Sequence, residues 1–87
     1  MEKYKEILEL YEYCKESGVD AKLEEFIDGY AIRFKNGADF VQHKYSYDSN
    51  IGCVEPAAVD DEYDYTAVDL NTAKKLVDLH KAELKEG

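Results

Sequence analysis

Apolar residues recur at helical spacing from the start of the chain. Tyr4, Ile7, Leu8, Tyr11 and Cys14 fall three or four apart and draw one stripe, with Leu10 and Tyr13 beside it. The spacing predicts a helix over residues 2–17. Gly18 follows as the residue beyond its C-terminus, because glycine takes the left-handed conformation cheaply.

The pattern then changes to short runs at 21–27, 30–35 and 38–47, separated by Asp28-Gly29 and Asn36-Gly37. Both pairs suit type I′ turns, which need positive φ at their two central residues. Loops of two residues place Ile27 opposite Tyr30, Leu23 opposite Phe34 and Ile32 opposite Val41. Facing residues share a side of the sheet. The expected core face carries Leu23, Ile27, Tyr30, Ile32, Phe34, Val41 and Tyr45. The other carries Lys22, Glu24, Arg33, Gln42 and Lys44, with Phe26 and Phe40 among them. Glu25 falls on the core face, which an edge position or a bulge accommodates.

Asp48-Ser49-Asn50 ends the third run. Residues 51–55 read as a short strand that Pro56 stops, since proline lacks a backbone donor. Residues 60–64 form a charged loop, and 65–68 an edge strand or extended approach. Asp69 is placed to cap a final helix, its carboxylate accepting from free amides two or three residues on. Leu70, Ala73, Leu76, Val77, His80 and Leu84 form the stripe of that helix, and Lys74, Lys75, Lys81 and Lys85 favour its later turns. The expected fold class is α+β: a helix, a three-stranded antiparallel meander, an irregular acidic segment and a C-terminal helix, with both helices on one face of the sheet. Its 87 residues make one domain, 1–87.

Charge sharpens this picture. Acids outnumber bases 20 to 11, the net charge is −9 and the pI is about 4.6. The acids are also segregated. Residues 45–73 contain no Lys or Arg, yet hold Asp48, Glu55, Asp60, Asp61, Glu62, Asp64 and Asp69. Tyr45, Tyr47, Tyr63 and Tyr65 are interleaved with them. A surface of one sign steers oppositely charged partners, and tyrosine is enriched at interface anchors. The expected contact residues are Asp48, Asp60, Asp61, Glu62 and Asp64 with Tyr47, Tyr63 and Tyr65. The expected partner is basic, such as a nucleic-acid-binding protein. Direct binding to nucleic acid is not expected, because phosphate affinity rests on cations.

Candidate chemistry adds little. Asp60, Glu62 and Asp64 alternate like the first ligands of a calcium loop, but its sixth and twelfth positions are Tyr65 and Asn71, where Gly and Glu are required. The two His and two Cys lack zinc-site spacing, and nothing brings His43 and Cys53 together as base and nucleophile. No enzyme, metal or cofactor is expected. The opening MEKYKEILEL lacks the apolar core of a secretion signal, and no run reaches the ~18 apolar residues of a membrane span. The expected setting is cytoplasmic, where Cys14 and Cys53 stay reduced.

One-domain size, acidity, the meander GYAIRFKNGADFVQHKYSY and the lack of an enzyme motif together resemble small phage and prophage proteins, among them the acidic anti-CRISPR inhibitors. That resemblance implies occupation of a nuclease's nucleic-acid channel by Asp48, Asp60, Asp61, Glu62 and Asp64, in the cytoplasm of a bacterial host. The helix lysines depart from the strongest mimics and confine the mimicry to one region. The alternative is a regulatory or structural interaction module whose acidity serves only solubility.

Overall fold

A computed structural model describes residues 4–86. It contains α1 (Lys5–Glu16), β1 (Ala21–Phe26), β2 (Gly29–Phe34), β3 (Asp39–Gln42), β4 (Glu55–Ala57), α2 (Leu70–Leu79) and α3 (Lys81–Lys85), with a 3-10 turn at Ser49–Ile51. The four strands form one antiparallel sheet in the order β1-β2-β3-β4. The class is α+β, with four strands where the turn signals give three. The expected helix start at Glu2 lies outside the described residues.

α1 lies across β1, β2 and β3, and α2 packs on α1. Ile7, Leu10 and Cys14 are fully buried, so Leu10 belongs to the centre of the stripe and not its flank. The helix ends in two bonds from beyond the cap, Gly18 N–H to Lys15 O at 3.1 Å and Val19 N–H to Cys14 O at 2.9 Å, which satisfy otherwise free carbonyls. Ile32, Phe34 and Phe40 of the sheet, Ala73, Leu76 and Val77 of α2, and Leu84 of α3 complete one core.

The first turn sits one residue earlier than the Asp28-Gly29 signal places it. Ile27 (φ 48°) and Asp28 (φ 62°) are its two left-handed residues, and Phe26 pairs with Gly29. Ile27 therefore leaves the core face and is exposed at the tip. Leu23 faces Ile32, not Phe34, a shift of two positions that keeps Leu23 on the core side. Gly29 serves close approach. A Cβ there would overlap the Gln42 carbonyl oxygen and come within 2.6 Å of the His43 Cα. The turn is present, one residue out of the frame that Asp28-Gly29 predicts.

The second turn is longer by one residue. Gly37 N–H bonds Phe34 O at 3.1 Å, and Phe34 N–H bonds Ala38 O at 2.9 Å, enclosing the three residues Lys35, Asn36 and Gly37. Gly37 alone carries positive φ, at 93°. A three-residue loop closed by a left-handed glycine is a common hairpin connection. The extra residue slips β3 by one, so Ile32 faces Phe40 and not Val41. A one-residue slip turns every side chain of a strand over. Phe40 and Gln42 are therefore fully buried and Val41 turns outward, the reverse of the expected faces.

Buried Gln42 supplies what α1 lacks. Tyr4 precedes the helix without a side-chain cap. Instead Gln42 Oε1 accepts from Ile7 N–H at 3.0 Å, while its Nε2 donates to Glu6 Oε1 and to Ser49 O, each at 3.0 Å. Asp69 caps α2 as its spacing predicts, accepting from Thr72 N–H at 2.8 Å. The expected single final helix is broken at His80 (φ −107°) into α2 and α3.

Candidate functional site

The segment between β3 and α2 follows a path its sequence only partly reveals. β3 stops at Gln42, five residues short of the expected 47. Ser46 turns the chain: its Oγ accepts from His43 N–H at 3.0 Å and donates to His43 O at 3.1 Å. Residues 49–51 form the 3-10 turn, and the strand lies at Glu55–Ala57, so Pro56 sits inside it and does not end it. Proline is tolerated because β4 is an edge strand. The approach to α2 reduces to one bridge between Val54 and Val68.

Pro56 O then accepts from Tyr65 N–H at 2.8 Å, and Asp64 Oδ1 accepts from Ala58 N–H at 2.7 Å, folding residues 58–65 back along β4. On the neighbouring residue, Glu55 Oε1 accepts from Tyr47 N–H at 3.2 Å. Consecutive residues of one edge strand thus hold the backbones of Tyr47 and Tyr65. These two residues are 68% and 64% exposed.

The predicted carboxylates divide by what they do. Asp60 is taken up by the fold: Oδ1 accepts from Glu62 N–H at 2.9 Å and Oδ2 lies 2.6 Å from His80 Nε2. The His80 bond, then the Glu62 amide, holds the Asp60 carboxyl below its usual range. Asp64 is half-buried and fixes its own loop. Asp48, Asp61 and Glu62 are exposed. Tyr63 is half-buried and packs on the core, so it is a structural tyrosine more than a free anchor.

Two acids that sequence reading left out join the region. Asp39 points outward from β3, next to β4. Burial raises its carboxyl, Arg33 at 3.5 Å opposes this, and the charges of Glu55 and Asp64 raise it further. Only the β3–β4 register, with Asp39 facing Ala57 and Val41 facing Glu55, reveals that proximity. Glu6 of α1 stands with Asp48 and Asp69 around Cys53, whose thiol is raised by burial first and by those three charges after it.

Among the described residues no group of three or more His, Cys, Asp or Glu is arranged to hold a metal ion. His43 is occupied: its Nδ1 accepts from Tyr45 N–H at 3.0 Å, and its ring meets Phe26 edge-on at 5.2 Å. Both cysteines are free thiols. Among the described residues no helix is long and apolar enough to cross a membrane. No protein family, curated protein or solved structure compared with the chain matches it.

Proposed function

We propose that the chain is a phage-type inhibitor that binds a basic, nucleic-acid-handling protein, in the manner of the anti-CRISPR class it resembles. One observation carries the reading. Tyr47 and Tyr65 stand exposed on backbones bonded to adjacent residues of β4, beside the carboxylates of Asp39, Glu55 and Asp64. Carboxylates there pair with the arginines and lysines that otherwise grip phosphate or read a base edge. The tyrosine rings supply area that survives desolvation. The mode is binding and not catalysis.

Exposed apolar area supports the same region. Among the described residues the large exposed apolar side chains are Ile27, Tyr45, Tyr47, Ile51, Tyr65 and Leu79, and four of the six fall within residues 45–73. An acidity that served only solubility would not need them.

Affinity capture from bacterial lysate, with and without duplex DNA as competitor, tests the reading. The captured protein should bind nucleic acid, and DNA should release it. Capture that ignores DNA and persists with Tyr47→Ala and Tyr65→Ala would overturn it.

A further inference from the structure

The two edges of the sheet are treated differently. β4 is three residues long, contains Pro56 and is covered by the Tyr65 backbone. β1 is six residues long, and among the described residues its one strand neighbour is β2. Open edges of that length are templates for another strand.

The direction of the free groups follows from the hairpins. Phe34 N–H bonds Ala38 O, so Phe34, and with it Ile32 and Tyr30, directs its backbone groups toward β3. Gly29, Ala31 and Arg33 then bond β1 at Phe26, Glu24 and Lys22. By alternation Ala21, Leu23 and Glu25 turn their N–H and C=O outward. Leu23 is thus a point about which the edge can pair with itself, antiparallel, with faces preserved.

Charge selects that register. Pairing about Leu23 sets Lys22 opposite Glu24 twice, and Ala21 opposite Glu25 twice. Pairing about Glu24 sets Glu24 against itself, and pairing about Lys22 sets Lys22 against itself. Opposite charges facing across strands stabilise, and like charges do the reverse. Within one copy Lys22 faces Arg33, a like charge, and has no carboxylate at ion-pair distance among the described residues.

We propose that two copies of the chain join β1 to β1 antiparallel about Leu23, continuing two four-stranded sheets into one of eight. The contact lies at the opposite edge of the sheet from β4, so a dimer would present two copies of the acidic, tyrosine-bearing region.

Charge reversal tests this by sedimentation at concentrations up to about 1 mM, the weak end of specific association. The salt should be about 0.15 M, so that the like net charges are screened beyond ~8 Å. The wild-type chain should move from 10.0 kDa toward twice that mass as concentration rises. Lys22→Glu alone and Glu24→Lys alone should each weaken dimerisation at least tenfold, and the double reversal should restore it. Within each copy Glu24 Oε2 also accepts from Arg33 Nε at 3.0 Å, and in the double variant the carboxylate at position 22 faces Arg33 directly and replaces that partner. Glu25→Pro removes an outward N–H and should give a folded monomer with a circular dichroism spectrum like the wild type. A wild-type chain monomeric throughout, or a dimer indifferent to both single reversals and to Glu25→Pro, would overturn the proposal.

Discussion

His80 Nε2 stands 2.6 Å from Asp60 Oδ2, tying the break between α2 and α3 to the acidic loop. On its other side His80 Nδ1 lies 3.3 Å from Glu83 Oε1. One imidazole thus sits between two carboxylates at the point where the last helix changes direction. The most acidic run of the chain is therefore anchored at its first residue and leaves Asp61 and Glu62 exposed.

Asp60 and Asp69 make stability in acid depend on pH. His80 and the Glu62 amide hold Asp60 low, and the Thr72 amide and hydroxyl hold Asp69 low. A carboxyl depressed in the fold binds protons more readily in the unfolded chain, so stability rises with pH across that interval. The contribution is complete above the ordinary carboxylate range, near pH 4, and is lost as pH falls through the lower folded values. Thermal midpoints should therefore drop on acidification below about pH 4. A variant with Asp60→Asn and Asp69→Asn should drop less steeply. Since asparagine also caps helices well, Asp69→Asn should change little at pH 7. Parallel acid limbs for the two proteins would contradict this account.

The two turn glycines should respond to alanine unequally. At Gly29 the added Cβ meets backbone atoms of Gln42 and His43, which must shift to admit it. At Gly37 nothing lies within 4 Å, and only the positive φ is penalised. Gly37→Ala should cost about 1 kcal/mol. Gly29→Ala should cost more, on the order of 3 kcal/mol or above, as overpacking against a strand does. Urea midpoints at pH 7 decide the order, and a larger loss at Gly37 would refute the steric reading of Gly29.

Those same positions show what a sequence discloses. The amphipathic period of α1 and α2, the Asp69 cap and the presence of two hairpins are local properties, and each is visible in a few consecutive residues. Turn frame is different. Asp28-Gly29 fits a type I′ turn on its own, but contact between Gly29 and β3 decides the matter, moving the strained positions to Ile27 and Asp28. Asn36-Gly37 likewise conceals a third loop residue, and that single residue reverses Phe40, Val41 and Gln42. In the acidic region the composition was legible, but the roles were not. Whether Tyr63 packs inward while Tyr65 stands out depends on how residues 58–65 fold along β4, which no short window contains.

The tyrosines should therefore separate on truncation. Tyr47→Ala and Tyr65→Ala should leave the urea midpoint near that of the wild type. In a partner complex each should speed dissociation, at a cost of about 2 kcal/mol or more if it lies at the contact centre. Tyr63→Ala should instead lower the midpoint, because its ring packs on the core. Lys75→Ala, on an exposed position of α2, serves as the control. A Tyr63→Ala chain as stable as the wild type, with binding lost, would return Tyr63 to the interface.

Both thiols should be sluggish in the fold. Burial pushes the Cys14 thiol up to about 12, and Cys53 is raised by burial and by surrounding carboxylates. Thiolate is the reacting species, so alkylation at pH 8 should be slower than for a free thiol at both. Half-exposed Cys53 should react first, and Cys14, with none of its surface exposed, only on unfolding. Mass spectrometry of a time course distinguishes the two. Early labelling of Cys14 would show that α1 opens readily.

The Gln42 amide ties the start of the chain to its middle. Its acceptor oxygen holds the Ile7 amide 35 positions earlier in the chain, and its nitrogen holds the carbonyl that opens the Ser49–Ile51 turn. The first turn of α1 is therefore completed by a residue synthesised long after it. Without β3 in place the Ile7 amide has only water to bond.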